Sequence, residues 1–138
     1  MTLSSYTKIF ALGTPPVRSI FSSEVEVTEK VDGSQFVFGV IDNELHMRSK
    51  GATLYAESPN KQFANGINYV VKLFEDGKLP ADTVFYCEYL QKEKHNTLTY
   101  NRIPKNHLAL YAVSNAGGEG AGARTYCNDH DGLASFAA

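Results

Sequence analysis

The chain has 138 residues, of which 43% are hydrophobic and 20% charged, the length and balance of one globular domain with a buried core, which excludes wholesale disorder. With 13 basic and 15 acidic residues the net charge is −2, so nucleic acid cannot be held by global positive charge and would need a local basic patch. Cys87 and Cys127 are the 2 cysteines; with no CxxC or His/Cys spacing they suggest neither a disulfide framework nor a zinc site, and they fit a reduced intracellular setting.

The first residues, MTLSSYTKIFALGTPPV, lack a basic region followed by a sustained apolar core, so no secretory signal is read there. No apolar stretch approaches the length of a bilayer span, and a soluble, cytoplasmic protein without membrane partners is expected. Tyr6 to Leu12 reads as a short strand stopped by Gly13-Thr14-Pro15-Pro16. Val25 to Lys30 alternates as a second strand, Asp32-Gly33 supplies a turn, and Phe36 to Ile41 is a strand rich in β-branched and aromatic residues. Asp42-Asn43 makes another tight turn before Glu44 to Arg48, completing a predicted three-stranded antiparallel meander.

After Gly51 the period changes. Phe63, Ile67, Val70, Val71 and Phe74 recur at helical spacing, with Gly77 as C-cap and Pro80 beyond. Thr83 to Leu90 returns to strand, and His107 to Ser114 is another. Between them, QKEKHNTLTYNRIPKN at 91–106 is a polar connection carrying Lys92, Lys94, His95, Tyr100, Arg102 and Lys105. That mixture suits RNA phosphates and a stacked base, although Glu93 interrupts it and a solvated loop is an equal reading. Residues 115–124 are Gly/Ala-rich and read as a loop, since their spacing is not GxGxxG. Asp129 or Asp131 then reads as the N-cap of a closing helix, LASFAA. The four histidines, at 46, 95, 107 and 130, have no metal-ligand spacing, and no metal-ligating residue is assigned.

Lys30 is the residue that this pattern does not explain. A nucleophilic lysine must shed its proton against a free pKa of about 10.4. Burial in an apolar sheet or crowding by cations favours the neutral amine, and a lysine at a strand end before a glycine turn is held in place. Gly33 also lets backbone approach a bulky ligand closely. Glu88 stands in an apolar strand, where a carboxylate is unusual unless it is paired or bound. Asp32 is equally readable as turn residue or contact, and Tyr111 as core aromatic or pocket wall.

EKVDGSQF at 29–36 resembles motif I of the covalent nucleotidyltransferases, the superfamily of DNA ligases, RNA ligases and mRNA capping enzymes. HMRSKG at 46–51 resembles motif Ia, FYCEYL at 85–90 motif III, and HLALYAV at 107–113 the motif after it, in the family's order. EKVDGSQF, CEYL and PKNHLALY are most similar to phage-type ATP-dependent RNA ligases, over nearly the whole chain to about Ser114. The resemblance implies an α+β, antiparallel-sheet-rich adenylation domain. Lys30 would attack the α-phosphate of ATP and carry AMP, which passes to a 5′-phosphate of RNA before a 3′-hydroxyl seals the strand. Glu29 would sit beside the adenine edge, Glu88 would hold the ribose hydroxyls and Tyr111 would stack on the base. Asp32 and Gly33 would complete motif I at the nucleotide, and magnesium would shield the phosphates. For a phage-encoded protein the site of action would be the host cytoplasm.

Two departures limit the match. In motif Ia the order is Arg48-Ser49-Lys50; register favours Lys50 at the phosphate, with Arg48 as rival. The family's acidic Glu-Gly-hydrophobic element and its Lys-x-Lys are missing: Glu119-Gly120 has no apolar residue after it. Residues 1–138 are therefore expected to be the N-terminal portion of an adenylyltransferase domain, nearly inactive alone because half of the phosphate site is lacking. Exposed sheet edges and apolar surface make self-association of that portion an expectation. The alternatives are a DNA ligase or capping-type enzyme, and a non-catalytic nucleotide- or RNA-binding module.

Overall fold

The computed structural model describes residues 3–57, 61–115 and 126–128. They form an α+β arrangement: one antiparallel sheet of six strands with one α-helix, α1 (Ala64–Glu75), on one face. The strands are β1 (Ser34–Ile41), β2 (Glu44–Arg48), β3 (Thr53–Leu54), β4 (Thr83–Tyr89), β5 (Leu108–Asn115) and β6 (Tyr126–Cys127), in the order β3-β2-β1-β4-β5-β6. The Gly/Ala-rich loop beyond Asn115 and the closing helix at Asp129 or Asp131 lie outside the described residues.

The hairpin β1–β2 turns at Asp42 and Asn43, whose φ angles of 53° and 65° are those of the two-residue turn that matches strand twist. Ile41 consequently pairs with Glu44, and alternation sends Phe36 and Phe38 to one face and Gln35, Val37 and Ile41 to the other. Helix α1 covers the first face with Ile67 and Val70, together with Phe63 at its N-cap. Gly66 permits the contact: a Cβ there would stand 3.0 Å from the Phe36 ring and 3.1 Å from that of Tyr89. The helix ends as its sequence predicts. Gly77 has φ 67°, its N–H donates to the Phe74 carbonyl, and the Lys78 N–H donates to that of Leu73.

Two predicted strands are absent. Residues 24–32 belong to no strand, so Lys30 sits in no hairpin, and Tyr6 to Leu12 is likewise no strand. The reason is edge occupancy. A strand before the Asp32-Gly33 bend could pair only along β1, and both edges of β1 are taken by β2 and β4. Val27 is accordingly 86% exposed despite its alternating pattern. The meander that forms is β1–β2–β3, one strand further along the chain than expected.

Candidate active site

The face of the sheet away from α1 is built differently. It carries Val37, Ile41, Val84, Tyr86 and Ala112, covered by Leu3 and Tyr6 of the N-terminal segment and by Tyr126. At the end of this face where β1 begins and β4 ends, the side chains become polar. Glu88 follows Tyr86 on the same face of β4, opposite Gln35 on β1 and Ala109 on β5.

Glu88 Oε2 accepts the Gly33 backbone N–H at 3.2 Å, a bond that joins positions 55 residues apart in sequence. Gly33 is required for that approach, because a Cβ would lie 2.3 Å from the Tyr89 carbonyl oxygen. Burial pushes the Glu88 carboxyl above the usual range, and the negative charge of Asp32 adds to this. The Gly33 N–H and the positive charge of Lys30 oppose it.

Tyr111 reaches this cluster through a β-bulge. Tyr86 pairs with Ala112 while the next residue, Cys87, pairs with Leu110, so Tyr111 is the extra residue of β5. Its ring meets Tyr6 edge-on, with centroids 5.2 Å apart at 85°. Its hydroxyl accepts the Gln35 Nε2–H at 3.4 Å, and burial drives the phenol well above its ordinary range. Gln35 Oε1 is buried with no hydrogen-bond partner among the described residues.

Lys30 and Glu29 are both exposed on the segment that leads into this cluster. The Lys30 charge acts on both Asp32 and Glu88 and lowers the pKa of each. The resemblance-derived residues Lys30, Asp32, Gly33, Glu88 and Tyr111 thus converge at one end of β1, β4 and β5. Arg48 shares the face but stands opposite Val37, two strands and two residues from Glu88, a Cα separation of about 12 Å from strand spacing and rise. Its guanidinium is committed elsewhere: Nε donates to the Ser49 carbonyl, Nη1 to that of Leu3 and Nη2 to that of Lys50. It pins the N-terminal segment to the sheet, whereas the Lys50 side chain is exposed.

The polar connection 91–106 folds back over the Lys30 segment. Thr97 and Leu98 N–H groups donate to Asp32 Oδ2, Asn96 Nδ2 donates to Asp32 Oδ1 and to the Gly33 carbonyl, and the Asp32 N–H donates to the Tyr100 hydroxyl. His95 Nδ1 accepts the Gln91 N–H at 3.1 Å, which leaves its Nε2 proton for Ser34 Oγ at 2.8 Å. Sequence reasoning placed cations and an aromatic on this loop but did not read it as a partner of Asp32. Gln35 escaped it altogether, since a polar residue beside Ser34 looks like a strand end. The only sequence signal for either was a polar, Asn- and Tyr-bearing stretch directly after the Glu88 strand.

No family model, curated protein or solved structure matches this chain. Among the described residues no three His, Cys, Asp or Glu side chains converge to hold a metal ion, so no magnesium step is derived from them. No helix among them is long and apolar enough to cross a membrane.

Proposed function

We propose that this chain carries the nucleotide-binding motifs of an ATP-dependent RNA ligase's adenylyltransferase domain, with Lys30 as nucleophile. One observation carries the reading: the Gly33 N–H bond to Glu88, which ties the EKVDGSQF segment to the CEYL strand with Tyr111 beside them. Three segments chosen by resemblance are separated by up to 81 positions (Lys30 to Tyr111: 111 − 30 = 81), yet they meet at one strand end. Glu88 offers a carboxylate for ribose hydroxyls, Tyr111 a ring for the base, and the unpartnered Gln35 Oε1 an acceptor for a ligand donor. In this reading Lys50 would meet a phosphate and Glu29 the base edge, the roles that the motif resemblance implies.

In the reaction proposed, the neutral Lys30 amine attacks the α-phosphorus of ATP. A P–N bond forms, the P–O bond to pyrophosphate breaks, and the amine proton is lost to solvent. AMP then passes to the 5′-phosphate of an RNA, and a 3′-hydroxyl displaces it. Lys30 is exposed, so no buried surroundings hold its amine in place and the arriving phosphates must position it. That same exposure favours a second reading, a non-catalytic nucleotide- or RNA-binding module.

Calorimetric titration of the chain with ATP tests the shared part: binding is expected, weakened at least tenfold by Tyr111→Ala or Glu88→Ala, and its absence at millimolar ATP sinks the nucleotide site. Mass spectrometry separates the two readings. In a protein carrying the acidic and Lys-x-Lys elements beyond this chain, ATP with magnesium should add one AMP, and Lys30→Ala should remove it. The 138 residues alone should form little adduct. Binding without adduct in the longer protein, unchanged by Lys30→Ala, selects the module.

A further inference from the structure

The geometry points to Asp32 as a latch: we propose that its carboxylate fastens loop 91–100 onto the Lys30 segment, making Asp32 a positioning residue and not a nucleotide ligand. A carboxylate has about four lone-pair sites, and three are filled here. Oδ2 accepts the Thr97 and Leu98 N–H groups at 2.9 Å each, and Oδ1 accepts Asn96 Nδ2 at 3.3 Å. A ligand reaching Asp32 would find one site left, on Oδ1, and could take more only by displacing these donors. Both backbone donors hold the carboxyl below its ordinary pKa, so the bonds are made to the ionised form.

The latch is returned by the loop. Tyr100 Oη accepts the Asp32 N–H at 2.7 Å, Asn96 Nδ2 also reaches the Gly33 carbonyl at 2.8 Å, and His95 bonds Ser34. The loop is braced internally by the Tyr100 N–H to Glu93 carbonyl bond at 2.9 Å and a Lys94–Thr99 bridge. Residues 32–34 are therefore gripped from one side by the loop and from the other by Glu88, while residues 24–30 are exposed. Lys30 is two residues from this anchor, so the latch sets where its amine can reach. The latch stands on these contacts alone; its effect on ATP chemistry rests on the function proposed above.

The test compares Asp32→Ala, Asp32→Asn and Tyr100→Phe by hydrogen–deuterium exchange read by mass spectrometry, without nucleotide. Asparagine keeps an oxygen that can accept both backbone donors, so Asp32→Asn should leave exchange over 95–100 and 31–35 within about twofold of wild type. Asp32→Ala should speed both segments about tenfold or more, and Tyr100→Phe should speed 31–35 by less. Unchanged exchange at 97–98 in Asp32→Ala, or equal acceleration in Asp32→Asn, overturns the latch. ATP titration adds a second arm: Asp32→Asn should bind like wild type. Lost ATP binding with the loop still protected would make Asp32 a ligand and also overturn the proposal. Failure of the wild type to bind ATP would strike the nucleotide reading alone, since the exchange arm decides the latch without it.

Discussion

The two faces of the sheet are built from the same strands but do different work. On the helix side, Phe36, Phe38, Phe63 and Phe85, with the buried ring of Tyr89, pack around Ile67 and Val70, as in Phe38 on Phe85 at 5.0 Å and 12°. On the other side the rings are tyrosines: Tyr6 touches Tyr86, Tyr111 and Tyr126 within 5.3 Å, and Tyr86 shares a buried hydroxyl bond of 3.0 Å with Ser114. A face dominated by phenylalanine stabilises chiefly by excluding water. A tyrosine face keeps polar tips that must be satisfied, and it can grade into a carboxylate and an amide at its end without stranding them in hydrocarbon. The candidate site lies where this second face runs out.

The comparison can be broken most severely from the helix side. Ile67 is fully buried, and Ile67→Ala should cost about 2–5 kcal/mol in urea unfolding, while the fraction still folded keeps its ATP affinity. A loss of affinity with stability unchanged would put the site on the wrong face. Next comes Gly33→Ala. The added carbon meets Tyr89 backbone, which cannot yield as a side-chain tip can, so about 1–3 kcal/mol is expected, this time with ATP binding abolished because residue 33 must shift and its N–H no longer reaches Glu88.

Tyr86→Phe probes the polar face itself. Removing the hydroxyl shared with Ser114 should lower stability by about 1 kcal/mol in the same measurement. A neutral result would mean that this face behaves like the phenylalanine one. The smallest effect has the opposite sign. The folded state holds the Glu88 proton more tightly than the unfolded chain does, so this group lowers stability as pH rises above 4.5. Glu88→Gln should raise the melting temperature at pH 7 with the advantage gone below pH 4.5. Calorimetric scans at both pH values check this, and ATP titration should show weaker binding in the same variant.

Much of this architecture was legible in the chain. The helix, its Gly77 cap, the Asp42-Asn43 turn and the strands around Phe36, Phe85 and Tyr111 follow from local period and turn chemistry. Those signals act over a few residues and survive any tertiary arrangement. Val25 to Lys30 was misread because alternation records a capacity to be a strand, whereas pairing needs a free edge. The sequence near Lys30 carries no information about which strands occupy the edges of β1.

By itself, then, the sequence determined an antiparallel α+β sheet protein with a lysine, a glycine and a carboxylate in a suggestive order. Tertiary structure decided three things that local propensity cannot. It put Glu88 against Gly33, because β4 rather than residues 24–30 pairs with β1. It turned Tyr111 toward Glu88 through a one-residue bulge in the pairing of β4 with β5. And it gave the Asp32 carboxylate to loop 91–100, because backbone donors 65 and 66 positions away become its neighbours only once the sheet has formed.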